Sequence, residues 1–485
     1  MPYPSRLRAA ATILTLLTAS VLAASPVAAA DRRPNVVFFF IDDMGWTDLG
    51  YAGSDYYETP NIDRLATEGL VFTDAYANAP NCAPSRACLM SGLYTPRHGI
   101  FTVGDPRRGN HAFRKLEPIE NKTVLDDGFF TVAEALQESG YTTATMGKWH
   151  LGKDPTTQGF DVNIAGREWG SPSGGGYHSP FKYPNLVNDK KGEYLTDALT
   201  HEACEFIEQQ RDKPFFLYLT HYAVHTPIQG RADLVAKYKE KPASKHHTNA
   251  TYAAMVESVD HSVRDVLAKL DELKLADDTV VLFFSDNGGH AGATSNYPLR
   301  GYKGMLYEGG IREPMIVKWP GVTTPGTRCD EPVIGIDIYP TLLEITETSL
   351  EKSRISLLDG VSITPVLRDS TASLDRDAIF WHFPCFLQGK GDPDGGPFRT
   401  TPAGAIRKGE WKLIEWFETG RLELYNLKAD LSESTNLAET EPEKLKELRD
   451  AMAAWRKDVN APIPTTPNPK YDPKAKPGGR KRSRR

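Results

Sequence analysis

Three stretches of the chain are almost continuously apolar, and each ends abruptly in polar residues. Asn35-Val36-Val37-Phe38-Phe39-Phe40-Ile41 stops at Asp42-Asp43. Phe215-Phe216-Leu217-Tyr218-Leu219 leads into His221 and then His225. The run from Thr279 to Phe284 stops at Ser285-Asp286-Asn287-Gly288-Gly289. Apolar runs without alternation predict strands covered on both faces of a parallel sheet. Between them lie segments with helical spacing. Pro60 to Gly69 carries Ile62, Leu65 and Ala66; Thr131 to Ser139 carries Val132, Ala135 and Leu136. Tyr252 to Leu273 carries Met255, Val256, Val259, Val263, Val266, Leu267 and Leu270. Strands alternating with helices predict an α/β fold with a large, mostly parallel sheet flanked by helices. Ligand sites in such sheets lie beyond the carboxyl ends of the strands. The three polar strand ends are therefore expected to converge.

The pattern changes after Pro340-Thr341-Leu342-Leu343. Ala378 to Phe383, Ala405 to Trp416 and Arg421 to Leu427 read as strands, with Gly409 and Gly420 at turns. Glu441 to Val459 reads as a charged helix with Leu445, Leu448, Met452 and Trp455 on one side. This predicts a smaller C-terminal α+β domain over residues 370–460, after a larger domain over 31–369. Gly389 to Pro397 is a glycine-rich loop with no assignable structure.

Composition narrows the class. The 485 residues exceed one compact core and suffice for two domains. Hydrophobic residues at 40% and charged residues at 25% fit a soluble globular chain, and a net charge of −6 gives no global signal for nucleic acid. Five cysteines make no disulfide framework and leave room for one reserved for chemistry. At the start, Arg6 and Arg8 precede a small apolar run from Ala9 to Ala24 and a Val27-Ala28-Ala29-Ala30 cleavage site. This predicts a signal peptide over residues 1–30, a secreted or periplasmic protein, and no stable membrane span after cleavage; an uncleaved anchor is the alternative. Residues 461–485 form a Pro/Lys/Arg-rich tail, expected to be disordered from Lys474 on.

Chemistry concentrates in a few segments. Asp42, Asp43, Asp286 and Asn287 offer only oxygen ligands, which suit Ca²⁺ or Mg²⁺; no His/Cys cluster has zinc spacing. The stretch Asn81-Cys82-Ala83-Pro84-Ser85-Arg86-Ala87-Cys88-Leu89-Met90-Ser91-Gly92 reads as a loop entering a helix, with Pro84 in the first turn and Gly92 at the stop. Cys82 is expected just ahead of the helix N-terminus, where N–H groups and the dipole favour an anion. Arg86, about one turn on, reaches back toward it. A Cys82–Cys88 disulfide is disfavoured, because six helical residues separate the two by roughly 9 Å.

Cys82-x-Pro84-Ser85-Arg86 followed by Leu89-Met90-Ser91-Gly92 closely resembles the signature of type I sulfatases, in the alkaline phosphatase superfamily. A second signature of that family stands at Gly140-Tyr141-Thr142-Thr143-Ala144-Thr145-Met146-Gly147-Lys148-Trp149-His150, with Met146 where a smaller or β-branched residue is usual. Lys148 and His150 are expected at the end of a short strand, pointing the same way at period two. His225, in His225-Thr226-Pro227, matches the family histidine, with His221 the competing choice. Lys303, ahead of Glu308-Gly309-Gly310-Ile311-Arg312-Glu313-Pro314, matches the second sulfate-binding lysine; Tyr302 replaces a common glycine. The resemblance covers about residues 34–320 strongly and the C-terminal part loosely.

The resemblance implies an alkaline phosphatase-like fold and a sulfuric ester hydrolase. It implies that a maturation enzyme oxidises Cys82 to formylglycine before folding, and that the aldehyde hydrate attacks sulfur to give a covalent sulfo-enzyme. It implies a Ca²⁺ site from Asp42, Asp43, Asp286, Asn287 and position 82; ligand chemistry alone leaves Mg²⁺ open. Lys148 and Lys303 would bind sulfate, Arg86 would hold the hydrate, His225 would protonate the leaving alkoxide and His150 would deprotonate the second hydroxyl. Residue type alone could reverse the two histidines. The expected substrate is a sulfated carbohydrate, or an aryl sulfate as a reporter. Tyr177-His178, Asn296, Arg300 and the loop near His382 are candidates for a sugar subsite. Two other readings remain at this point: a phosphate or phosphonate ester hydrolase of the same superfamily, and an inactive sulfated-glycan-binding protein.

Overall fold

The computed structural model describes Met1 and residues 33–187, 190–389 and 397–475. The expected signal peptide, Met1 apart, falls outside the described residues. So do residues 390–396 of the glycine-rich loop and residues 476–485 of the tail.

The three apolar runs are neighbours in one sheet. Strand β1 (Asn35–Ile41) lies between β5 (Phe215–Thr220) and β6 (Thr279–Ser285), parallel to both. Beyond β5 come β3 (Thr142–Gly147) and β4 (Val162–Ile164), again parallel. Beyond β6 the sheet becomes mixed. Strand β7 (Met315–Lys318) runs antiparallel to β6 and to β2 (Leu70–Phe72), and β2 pairs in parallel with β8 (Thr327–Cys329). The order is β4-β3-β5-β1-β6-β7-β2-β8. Every residue of β1, β5 and β6 is buried. A strand covered on both faces has no solvent side, so its sequence shows no polar alternation.

The expected helices form as α1 (Pro60–Glu68), α2 (Cys82–Ser91), α3 (Val132–Glu138) and α4 (Ala250–Glu272). Period-two alternation along β1 sends its side chains to two cores. Val37, Phe39 and Ile41 pack in one core with Met255, Val259 and Val263 of α4. Val36, Phe38 and Phe40 pack in the other with Ala83, Ala87 and Met90 of α2. Helix α2 is thus buried along its whole length against the sheet.

A four-stranded antiparallel sheet follows, in the order β9 (Ile379–Phe383), β10 (Ala403–Lys408), β11 (Trp411–Trp416) and β12 (Leu422–Asn426). Helix α5 (Pro442–Asp458) covers it, Leu448 and Met452 packing on Ile406, Leu413 and Leu424. Buried charges bind this sheet to the rest. Lys412 Nζ lies 2.8 Å from Glu308 Oε1 and 2.8 Å from Glu433 Oε1. Burial raises both acids. For Glu308, Lys412, Arg312 and Arg407 outweigh it and hold the group down at about 2. For Glu433, burial prevails over Lys412 and the group sits at about 7. Residues 461–475 lie back along the segment near residue 112, with Asp472 N donating to Ala112 O at 2.9 Å. Among the described residues no helix is long and apolar enough to cross a membrane.

Candidate active site

Strands β3, β5, β1 and β6 are consecutive, so their carboxyl ends bring four polar segments together. Backbone bonds fix them to one another. Asp42 N donates to Ala223 O at 3.0 Å and Val224 N to Asp42 O at 2.7 Å. Asp286 N donates to Ile41 O at 3.0 Å, and Lys148 N to Thr220 O at 2.7 Å. Helix α2 enters from the side. Cys82 is its first residue rather than a residue ahead of it, because Asn81 is the extended cap and its carbonyl already accepts from Ser85 N at 3.2 Å. Gly92 ends the helix in the left-handed region, at φ 69°, as its sequence position predicts. All five cysteines are free thiols, so no Cys82–Cys88 bridge forms.

Three carboxylates and three cations face each other in the floor of the site. Lys148 Nζ lies 2.7 Å from Asp42 Oδ2, and both side chains are fully buried. Lys303 Nζ lies on Asp43 Oδ1 and 3.8 Å from Cys82 Sγ. Arg86 directs Nε and Nη2 to Asp286 Oδ2, at 2.9 and 2.7 Å, and Nη1 to Lys148 O at 2.8 Å. Its guanidinium also lies over the Phe40 ring, 5.0 Å from the centroid. Burial, with Asp286 and Asp43 close by, pushes the Asp42 carboxyl well above its ordinary range despite Lys148. Burial raises Asp43 too, but Lys303, His225 and Lys148 together bring it below that range.

Three oxygens in this floor have no hydrogen-bond partner among the described residues: Asp42 Oδ1, Asp43 Oδ2 and Asn287 Oδ1. Each is buried, and the partner atom on the same group is held. Asn287 Nδ2 donates to Asp43 Oδ1 at 2.8 Å, which turns its carbonyl oxygen the other way. Buried acceptors without donors cost free energy unless something electropositive meets them. Ligand atoms of Asp42, Cys82 and Asp286 lie within 4.8 Å of one another, as do those of Asp42, Asp43 and His225. This oxygen-rich donor set fits a hard divalent cation. The three carboxylates and the three cations balance without one, so a divalent ion would leave the floor net positive and suited to an anion.

The two histidines stand on the cavity above. Its volume is about 420 Å³, and Cys82, His150, His225 and Lys303 line it. Lys148 does not; it lies beneath, on Asp42. Strand β3 ends at Gly147 as expected, but the expected period-two pairing of Lys148 with His150 fails, because the chain turns left-handed at His150, φ 65°. Burial, and then Lys148 and Arg86, lower His150 well below the ordinary imidazole range. Burial and Lys303 lower His225 to about 3, against the pull of Asp43. His225 Nδ1 lies 2.6 Å from Thr226 O. A carbonyl only accepts, so that nitrogen carries the proton and Nε2 faces Asp43 Oδ2 at 3.8 Å. His221 is elsewhere, buried on Ser262 Oγ at 2.9 Å.

The Sulfatase family model matches residues 34–348, and the model described as N-sulphoglucosamine sulphohydrolase, C-terminal, matches residues 301–458. The chain belongs to the sulfatase family. A sulfatase of Formosa agariphila is 35% identical, the match covering 92% of this chain and 93% of that protein. Human N-acetylgalactosamine-6-sulfatase is 34% identical over 73% of this chain and 69% of its own. The crystal structure of Ps i-CgsB in complex with k-i-k-neocarrahexaose superposes with a TM-score of 0.72 at 29% identity, covering 90% of this chain and 95% of that one. The chain is thus an enzyme of the type I sulfatase class, within the alkaline phosphatase superfamily.

Of the sugar-subsite candidates, only the loop near His382 reaches the cavity of this sulfatase, through Leu387 and Gln388. Tyr177 is buried, its hydroxyl donating to Tyr222 O at 2.6 Å. His178 borders a different, shallow pocket with Gln229 and Lys239. Asn296 Nδ2 holds the backbone of Gly309 at 2.9 Å. Arg300 Nη1 donates to Glu433 O at 2.8 Å, and His382 is buried against Pro462 O. Tyr177, Asn296, Arg300 and His382 each bond a backbone carbonyl, which holds them to the fold. The wall is instead completed by Arg108, Ser171, His290, Gln388 and Arg399. His290 was within reach of sequence reasoning, since it closes the same polar strand end as Asp286. Arg108 lies on an irregular arm and Arg399 on a three-residue strand too short for any periodic pattern to mark.

Proposed function

We propose that this sulfatase removes sulfate from sulfated carbohydrate, with Cys82 matured to formylglycine as its nucleophile. The carrying observation is that Cys82 shares one ligand cluster with Asp42 and Asp286 and lies 3.8 Å from Lys303. The carbohydrate reading is supported by relatives named N-acetylgalactosamine-6-sulfatase and by the neocarrahexaose held in the Ps i-CgsB structure. Asp42, Asp43, Asp286 and Asn287 would hold Ca²⁺, with Mg²⁺ the less suitable ion. The ion would supply Lewis-acid polarisation of a sulfate oxygen.

The chain's own residues then divide the work. Lys303 faces position 82 as a fixed cation and offsets charge building on sulfate oxygens. Lys148 and Arg86 act from below, fixing the positions of Asp42 and Asp286. His150 is neutral in its buried place, which suits a base taking the proton from the hydrated aldehyde as sulfate leaves. Neutral His225 presents Nε2 as an acceptor, so it protonates the departing alkoxide only as an imidazolium. An anionic ester bound beside the ring favours that charged form. The segment before residue 31 would direct the protein out of the cytoplasm, to a secreted or periplasmic site.

Mass spectrometry of protein from a host with a maturation system tests the nucleophile, which requires the aldehyde mass at position 82. Sulfate release from sulfated mono- and oligosaccharides, compared with phosphate release from the same alcohols, tests the reaction. Faster phosphate turnover, or an unconverted Cys82 in fully active protein, would overturn the reading.

A further inference from the structure

The cavity holds more positive charge than one sulfate needs. Besides Lys303, its wall carries Arg108 and Arg399, and no carboxylate lines it among the described residues. Lys303 is matched by Asp43. Among the described residues neither arginine has an ion pair; the Asp105 charge reaches Arg108, but that carboxylate is bonded to Arg107 at 3.2 Å. Arg399 Nη1 donates to Lys303 O at 3.0 Å, and its Nε is buried without a partner. Arg108 Nη2 donates to Val103 O. Burial lowers the Arg108 guanidinium, position 82 and Cys385 raise it, and Arg399 lowers it again. Two guanidinium groups thus sit near each other and near the reaction centre, each hydrogen-bonded, among the described residues, only to a neutral carbonyl. Like charges brought together without a counterion are unfavourable unless a ligand supplies one.

The arms that carry them are built to hold this arrangement. Phe398–Thr400 pairs antiparallel with Leu387–Gln388, placing Arg399 on a short ladder. The Arg399 guanidinium rests on the Tyr302 ring, 5.3 Å from its centroid. Its stem crosses Gly304, where a Cβ would stand 2.8 Å from Arg399 Cδ and 2.8 Å from Leu387 Cδ1. Gly304 N also donates to Pro80 O at 2.7 Å, so the arginine is indexed to the loop carrying Cys82. On the other arm, Arg114 Nη1 donates to Gly109 O at 3.2 Å and stiffens the turn that bears Arg108. The arms meet at Phe386, whose N donates to Pro106 O at 3.1 Å and whose ring lies under the Arg114 guanidinium, 5.9 Å from the centroid.

Resting on the sulfatase reading above, we infer that Arg108 and Arg399 form a subsite for a second anionic group on the substrate, a sulfate or carboxylate beside the scissile ester. Guanidinium groups bind both bidentately and keep their charge when partly buried. The preferred substrate is therefore a sugar with at least two negative charges.

Calorimetric binding to the unmatured Cys82 protein tests this without turnover. The probes are N-acetylgalactosamine 6-sulfate, N-acetylgalactosamine 4,6-disulfate and the chondroitin 6-sulfate disaccharide, which adds a carboxylate. The expected result is at least 10-fold tighter binding of one dianionic probe than of the monosulfate. In Arg108→Gln or Arg399→Gln that probe should lose about 10- to 100-fold, well beyond any loss on the monosulfate. The sulfate and carboxylate arms report which group the subsite takes. Equal losses on all three probes would mean that the arginines serve the scissile sulfate or the fold, and would overturn the inference. So would no preference in the wild type, or no binding of any probe. Failure of the sulfatase reading shows separately, as matured protein that releases no sulfate from any of the three.

Discussion

A Cβ placed on Gly170 would stand 2.5 Å from both Cε1 and Nε2 of His150. The glycine is there to make room for a buried ring. Its own backbone needs no left-handed conformation, so alanine is tolerated by the chain and not by the imidazole. Gly170→Ala is expected to lower kcat about 10- to 100-fold by displacing the ring, with little change in the unfolding midpoint. Steady-state kinetics beside a thermal melt checks this; equal kcat would show that His150 needs no fixed place.

Arg86 and Asp286 are both buried, and the arginine also ties Lys148 O to the helix. Removing one member of such a pair leaves a charge with nothing to meet it. Arg86→Met is expected to cost about 3–5 kcal/mol in stability. Denaturant unfolding of the unmatured protein measures it apart from catalysis.

Lys412, which does not line the cavity, poses the same problem, since it stands between Glu308 and Glu433. Lys412→Met should destabilise by about 3–5 kcal/mol. Adding Glu308→Gln, which removes the carboxylate that Lys412 holds ionised, should restore part of that. A double variant no more stable than the single would refute the pairing.

His221 gives a pH dependence. Burial lowers its pKa to about 3, against about 6.5 in an unfolded chain. The unfolded state therefore takes up the proton first as pH falls. Stability is full above about pH 6.5 and is lost progressively toward pH 3. From pH 7 to pH 5 this one group should cost about 2 kcal/mol. His221→Asn lacks the titration, so the gap between variant and wild type should narrow by about that amount over the same range, as read from unfolding curves.

The orphaned oxygens of Asp42, Asp43 and Asn287 predict a stabilising ion. Ca²⁺ should raise the thermal midpoint of even the unmatured protein, by the equivalent of about 2.7 kcal/mol at a free concentration of 100 Kd. Chelator should reverse the rise, and Asp43→Asn should abolish it. A midpoint indifferent to Ca²⁺ in the wild type would remove the metal from the account.

The sheet and its polar strand ends were legible because burial on both faces writes itself as unbroken apolar runs. Asp42, Asp43, Asp286 and Asn287 stand where those runs stop, so their meeting could be expected before any coordinates. Cys82 was legible through its surrounding motif, and only its offset from the helix start was misjudged, since capping is decided by the backbone of Asn81. The direction of Lys148 was not legible. The strand end at Gly147 was expected, but period-two reasoning assumes extended backbone beyond it, and here the chain turns left-handed at His150. The cavity wall was the least legible part. Arg108 and Arg399 sit on arms positioned by Phe386, Phe398 and Arg114, contacts made across hundreds of residues. The polar residues chosen in their stead, such as Asn296 and Arg300, satisfy backbone groups, a role that leaves no periodic trace.

Cys82 and Lys303 are separated by 221 residues along the chain. A ribosome adding about 5–20 residues per second takes on the order of 10–40 s to cover that interval. Throughout it, the thiol has been synthesised while the lysine that closes over it has not. On the proposed maturation of Cys82, the length of chain between the two would act as a timer, giving an enzyme that reaches the thiol a period before the pocket can shut.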